Sequence, residues 1–497
     1  MLKKINKSSF EKIFLILIIG VASFLRFFRL KDFLGFWYDQ GRDALVIWDM
    51  VFNGKFTLIG PQMGFTGIFR GGWYYYLIAP FYALDRGNPI PPYVFLIATT
   101  IIAIFVLYIL GKNMGKPKAG LLAGLVGSVS MYIVGASRWF SDPTPTLLIS
   151  VLLVLSLYKY TEGKSWWIII TGFLCGMALQ FSAATEIFYV PGIMLIVFLL
   201  RKKVRLNIKQ IFFAILAFVC AFGPQIIFEI RHPGVQTGAF FNFVFHEKTF
   251  TYAFWEILKT RLPFDYNMFA SKFWIDGGLI FAPFFIIFIG LMAFNWKKLW
   301  QLDKFKVLFI LAAVPIIGTL FFVSNLGGVY EYYFTGYYLI WILLFSYVYI
   351  YFFKSILIKI CLSIFIFLLI FLNLKSFSQS YCIDINNSKN IIFANELAAI
   401  EWIYKDANGR DFNVDEYVPP VIPYAYEYLF KWLGTTKYRY QPLTKNIDLL
   451  YTLYEADDDH PERLGAWMER QKGIGRVVKE AKFGSIVVQE RQRLVDI

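Results

Sequence analysis

The stretch Phe36-Trp37-Tyr38-Asp39-Gln40-Gly41-Arg42-Asp43 follows directly on the first long apolar run of the chain. It stands where the polypeptide should leave a hydrocarbon phase. If the stretch is helical, Asp39 and Asp43 share one face a turn apart, with Arg42 beside them among aromatic rings. A carboxylate held at an apolar boundary has its pKa raised towards the range useful to a general base. A solvated loop with ordinary charges is the alternative, and these residues alone do not separate the two.

The surrounding chain is far too apolar for an ordinary soluble domain. Its 497 residues are 58% hydrophobic and 20% aromatic, with a mean hydropathy of +0.55. The net charge of +15 would suggest a nucleic-acid partner in a soluble protein. Here the basic residues cluster in short loops between apolar runs, the pattern of membrane topology and not of nucleic-acid binding. Cys175, Cys220 and Cys361 lie inside apolar runs and Cys382 outside one, so no disulfide framework or CxxC site is readable. His232, His246 and His460 have no metal-ligand partner at recognisable spacing. No cofactor is therefore obligatory, while carboxylate binding of a divalent cation stays open.

Lys3, Lys4, Lys7 and Lys12 precede the apolar run Ile13 to Phe28, and Arg26, Arg29 and Lys31 stand where a signal peptide would carry a cleavage site. This predicts a retained first membrane helix starting in the cytoplasm. A long first outer loop, about 30–92, contains Pro61, Gly64, Gly67, Arg70, Gly71 and Gly72. Within it Trp73 to Leu84 is too short to cross a hydrocarbon core of about 30 Å and reads as an interfacial helix. With that register the clusters Lys112–Lys118, Arg201–Lys209 and Lys297–Lys306 fall on one side. The fold class expected is a polytopic α-helical membrane protein of about eleven transmembrane helices, residues 1–375, in the plasma membrane. Beyond it 376–497 is charged and mixed in pattern: helices at Ala394–Tyr404 and Tyr424–Leu433, strands at Asp448–Tyr454 and Gly484–Gln489. These predict a small α/β C-terminal domain on the extracytoplasmic face.

The same face then presents Asp39, Arg42, Asp43, Arg70, Arg138, Asp142, Arg231, His232, Lys259, Arg261 and Glu331, the last preceded by Tyr330, separated in sequence but at the outer ends of several helices. Arg26, Arg29 and Lys31 read as snorkelling anchors. Asp142 is too short to snorkel; with Pro143 after it, helix capping competes with a site role.

These features together resemble the GT-C glycosyltransferases: the retained first helix, the outer loop opening on an aromatic-Asp motif, the interfacial aromatic helix, Asp142-Pro143 and the outer C-terminal domain. The nearest branch is that of dolichyl-phosphate-mannose–protein mannosyltransferases and aminoarabinose transferases. The resemblance implies transfer of a sugar from a polyprenyl-phosphate carrier to a lipid, glycan or protein acceptor. It places Asp39 at the catalytic carboxylate of the first loop, Asp142 at the acidic residue of the second, and Arg70 at the basic residue meeting the lipid phosphate. Asp43 is then the second catalytic candidate, with Arg42, Arg138, Tyr330 and Glu331 on substrate. Two departures stand out: Gln40 follows Asp39 where the family often has Glu, and Gly71-Gly72 replaces a Pro-Pro. The chemistry suits the inventory, because an acceptor hydroxyl needs a base and a leaving lipid phosphate needs guanidinium partners. A transporter or flippase of lipid-linked sugars, the rival class, would need polar groups near the midplane, where these spans are nearly uncharged.

Overall fold

Out of water a backbone must satisfy its polar groups internally, so apolar runs become helices. The computed structural model describes residues 7–64, 67–182, 184–247, 252–322, 328–386, 391–419 and 422–494. Lys3, Lys4 and the loop positions Asn325 to Gly327 lie outside the described residues. Helix α1 is Lys7–Phe27. The Asp39 stretch is helical, as the first turns of α2, Tyr38–Phe52. A two-stranded antiparallel hairpin follows, β1 Ile59–Gln62 and β2 Phe69–Gly71. It leads straight into α3, Trp73–Leu84, the short aromatic helix anticipated from sequence.

Helix α4, Ile90–Asn113, opens the helical body. Next come α5 (Pro117–Val129) and α6 (Met131–Arg138), bent by 65° at their junction. Helices α7 (Thr146–Thr161), α8 (Trp167–Phe181) and α9 (Tyr189–Leu200) follow. A second pair bent by 65° is α10 (Ile208–Ala221) with α11 (Gly223–Arg231). Two helices, α12 (Val235–Phe245) and α13 (Phe254–Ser271), occupy what periodicity leaves as a long aromatic loop. Then come α14 (Gly278–Phe294), α15 (Trp296–Trp300) and α16 (Asp303–Thr319). A 3-10 turn, Glu331–Tyr337, feeds α17 (Tyr338–Tyr351), and α18 is Ile356–Tyr381.

Among the described residues three helices are long and apolar enough to cross a membrane, or five if each bent pair counts as one span. The gap to the count expected from sequence has a geometric cause. Helices such as α7, α8 and α14 have 16, 15 and 17 residues, which at about 1.5 Å per residue reach roughly 22–26 Å against about 30 Å of hydrocarbon.

The remaining elements are α19 (Phe393–Ala407), β3 (Asn413–Tyr417), α20 (Tyr424–Leu433), β4 (Leu449–Glu455), α21 (Pro461–Ile474), β5 (Gly475–Phe483) and β6 (Ile486–Arg493). The strands form one sheet in the order β3-β4-β6-β5. β3 and β4 are parallel, which demands a crossover, and α20 lies in it. Helix α18 runs unbroken through Lys375 to Tyr381. The apolar core of these elements is continuous with that of α2, α3 and α4: Ile47, Tyr82 and Leu96 share it with Phe393, Tyr428 and Leu453.

Helix α20 packs on α2 closely enough to exclude a side chain between the backbones. A Cβ at Gly41 would collide with the backbone of Tyr424 and Ala425. Glycine there admits the neighbouring chain, whereas a methyl group must push it away. Gly41→Ala is therefore expected to cost about 1–3 kcal/mol and lower Tm in thermal unfolding of the detergent-solubilised chain. Gly20→Ala, where a Cβ meets nothing within 4 Å, should leave Tm unchanged or higher. Equal Tm for the two variants would mean the α2–α20 approach is not rigid.

Candidate active site

Trp37 precedes α2 and its backbone N–H donates to Gln40 Oε1 at 3.1 Å, which closes the first turn. The same amide reaches out of the helix, Gln40 Nε2 donating to the Phe140 carbonyl at 2.8 Å. Gln40, the departure from the family pattern, is thus the tie between α2 and the turn after α6. With the turn closed, residues three and four apart line one face. Arg42 takes both acids: Nη1 lies 2.8 Å from Asp39 Oδ1, and Nε and Nη2 donate to Asp43 Oδ1 at 2.9 and 2.8 Å. Tyr75 of α3 adds its hydroxyl to Asp43 Oδ1 at 3.1 Å.

The two carboxylates differ in access. The Asp39 side chain is 53% exposed and that of Asp43 is 9% exposed. Burial raises the Asp43 pKa to about 7; Arg42 opposes the shift, and the nearby negative Asp142 adds to it.

Asp142 forms the second pair. Its Oδ1 is held by Arg70 Nη1 in an ion pair and faces Ser141 Oγ at 3.2 Å. Asp142 does not cap the following helix: α7 starts after Pro145 and has no side-chain cap. Asp142 Oδ2 is buried without a hydrogen-bond partner. A half-satisfied buried carboxylate is costly in a fold.

Arg70 sits in β2, and a polar chain behind the hairpin fixes it there. Gln225 Nε2 donates to the Phe69 carbonyl at 2.9 Å, and Gln180 Nε2 donates to Gln225 Oε1 at 2.6 Å. A Cβ at Gly71 would collide with the Gln180 side chain, so the glycine that replaces proline allows this approach. Sequence reasoning passed over Tyr75, Gln180 and Gln225. The only signal was polar side chains at the edges of apolar runs.

Three other candidates take their contacts elsewhere. Arg138, 4% exposed, donates from Nη1 to the carbonyls of Leu25 and Phe28 at 3.3 and 3.0 Å. Its guanidinium lies 4.0 Å from the Tyr381 ring centroid, so it fastens the end of α1 to α6. Glu331 pairs with Lys272 at 3.0 Å, and that ammonium also sits 3.2 Å from the Tyr132 ring centroid. Tyr330 stacks on Tyr332, centroids 5.7 Å apart. Among the described residues no group of three or more His, Cys, Asp or Glu side chains is arranged to hold a metal ion.

Residues 73–228, from α3 to the end of α10 and most of α11, match the family model of dolichyl-phosphate-mannose-protein mannosyltransferases. No curated protein matches the chain. Among solved structures, ArnT from Cupriavidus metallidurans bound to undecaprenyl phosphate superposes with a TM-score of 0.57 at 10% identity, over 98% of this chain and 98% of that one. Its apo state gives 0.57 at 11% identity, over 96% and 98%. The chain carries the GT-C fold. The arabinofuranosyltransferase AftD from Mycobacteria, a larger chain of which 40% is covered, superposes over 99% of this one with a TM-score of 0.50 at 10% identity.

The raised pKa of Asp43 has a stability consequence. Folding favours its protonated form, so this contribution is present in full below about pH 4 and is lost as the pH climbs through about 7. Between about pH 5 and pH 8 the native chain should lose more Tm than Asp43→Asn, which has no proton to release. Parallel Tm–pH curves for the two would show that Asp43 does not titrate in that window.

Proposed function

We propose that the chain is a membrane glycosyltransferase, moving a sugar from a polyprenyl-phosphate carrier to an acceptor on the outer face. The observation that carries this reading is the pairing of half-exposed Asp39 with a guanidinium and, beside it, Arg70 held by a half-satisfied Asp142. In this reading Asp39 is the base and Arg70 the phosphate-binding group. The family match, the shared fold with ArnT bound to undecaprenyl phosphate, and the likeness to AftD support it.

In the proposed step the acceptor oxygen attacks the anomeric carbon as the bond from that carbon to the carrier phosphate breaks. Asp39 receives the hydroxyl proton, and the carrier leaves as a phosphate whose added charge meets Arg70. Asp43 is too buried to touch the acceptor and holds Arg42 instead. Asp142 keeps Arg70 extended until phosphate takes its place. Arg42, Arg138, Tyr330 and Glu331 remain the proposed substrate-binding residues. No metal is required in this scheme; a divalent ion bridging carboxylates and phosphate is the variant that chelation would expose.

The domain division belongs to the same proposal. Residues 1–375 are the transferase, with about eleven spans in this proposal, the first loop at about 30–92 outside and the N-terminus cytoplasmic. Residues 376–497 form the extracytoplasmic α/β domain. Labelling intact cells with an impermeant thiol reagent should modify Lys472→Cys and spare Lys203→Cys. The reverse pattern would invert the topology.

The reaction is tested with radiolabelled polyprenyl-phosphate sugar and the purified chain. Asp39→Asn should lower turnover by about 10²–10⁴-fold with donor binding retained, and Asp43→Asn should do less. Arg70→Ala should cost about 2–4 kcal/mol in the transition state, with Arg70→Lys recovering only part because an ammonium lacks the fork. Translocation of labelled lipid without sugar transfer would make the chain a flippase. Full turnover in Asp39→Asn with loss in Asp43→Asn would move the base by one helical turn.

A further inference from the structure

A cleft of about 950 Å³ opens where α2 begins, between the outer ends of the helical body and the C-terminal elements. Trp37, Trp139 and Tyr332 form aromatic walls, and the Trp37 and Tyr332 rings are open to it, the residues being 50% and 36% exposed. Between these rings three charged side chains line the cleft. Glu396 is 1% exposed and its Oε2 has no hydrogen-bond partner. Glu455, 7% exposed, accepts the Tyr426 hydroxyl at 2.7 Å. Arg138 presents Nε and Nη2, both buried and both without a partner.

The chemistry of this lining excludes most occupants. An acyl chain could satisfy neither Glu396 Oε2 nor Arg138 Nε and Nη2, the three buried polar atoms of this lining that lack partners. A phosphate would meet two acids. No basic side chain offsets Glu396 among the described residues: burial and the charge of Glu455 both push its pKa well above the usual carboxylate range. Glu455 is itself pushed up to about 7 by burial. The two acids supply acceptors, and Arg138 Nε and Nη2 supply donors. Donors and acceptors set between flat apolar rings match a ligand that has hydroxyls at its edges and C–H faces, which is the surface of a sugar ring.

We propose that this cleft is the acceptor subsite and that the acceptor is a carbohydrate chain, its ring faces on Trp37 and Trp139 and its hydroxyls between Glu396, Glu455 and Arg138. The inference rests on the glycosyltransferase reading for its link to catalysis. Trp37 stands two residues before Asp39 at the start of α2, and in this proposal the reacting hydroxyl of the glycan leaves the cleft at that end, towards the base.

The experiment uses the full chain in lipid nanodiscs, with saturation-transfer NMR against soluble manno-, xylo- and cello-oligosaccharides and a Ser/Thr-rich peptide of similar mass. At least one oligosaccharide should show transfer from aromatic protons, the peptide none. Trp37→Ala, exposed enough to fold normally, should weaken that oligosaccharide at least fivefold, as should Glu396→Gln and Glu455→Gln if they melt like the native chain. Absence of any oligosaccharide signal, a peptide signal instead, or indifference to Trp37→Ala in a folded protein would overturn the proposal. Release of sugar from labelled donor to water, measured in parallel, separates the two readings. Donor cleavage without glycan binding sinks only the acceptor assignment. Trp37-dependent glycan binding without donor binding or cleavage sinks the transferase and leaves the glycan site.

Discussion

The approach of α20 to α2 at Gly41 is the constraint on which the rest depends. Two backbones meet where no Cβ would fit, and around that contact Phe36 packs on Phe393 and Tyr428, with centroids 5.7 and 5.6 Å apart. Close packing of this kind transmits position with little slack. The residues on either side of the contact, Trp37 to Gln40 and Arg42 to Asp43, are thereby fixed against both the helical body and the C-terminal sheet.

Electrostatics then divides the labour among the acids. One guanidinium, Arg42, serves two carboxylates at the same distance of 2.8 Å, but one is in water and the other is not. Coulomb attraction alone would treat them alike. Desolvation separates them, lifting Asp43 towards neutrality while Asp39 keeps its access to solvent. Arg70 and Asp142 repeat the pattern on the opposite side, with the arginine anchored from behind by Gln225 and Gln180. The site is thus two arginines held by acids and aimed by neighbouring polar chains, which suits a reaction whose leaving group carries the charge.

Arg138 illustrates how one charge can tie the fold together and still line a cleft. From sequence it is one more cation at the outer rim. In the structure most of its hydrogen bonding goes to carbonyls at the end of α1, because α1 ends there and its last carbonyls need donors. What remains of the guanidinium faces the cleft beside Tyr381.

The sequence by itself determined the elements whose hydrophobic period is long and unbroken. The aromatic helix Trp73–Leu84 and helix Tyr424–Leu433 were legible, since local spacing of apolar and charged residues decides them, whereas the Asp39 stretch read equally well as helix or solvated loop. Tertiary structure decided the rest. The bends after Val129 and Ala221, the helices inside 235–271 and the pairing of Arg70 with Asp142 depend on residues far apart in the chain, whose contacts leave no periodic trace. So did the difference between Asp39 and Asp43. Both are the same side chain one turn apart, and only the packing of α3 and α20 around them removes water from one and leaves it on the other.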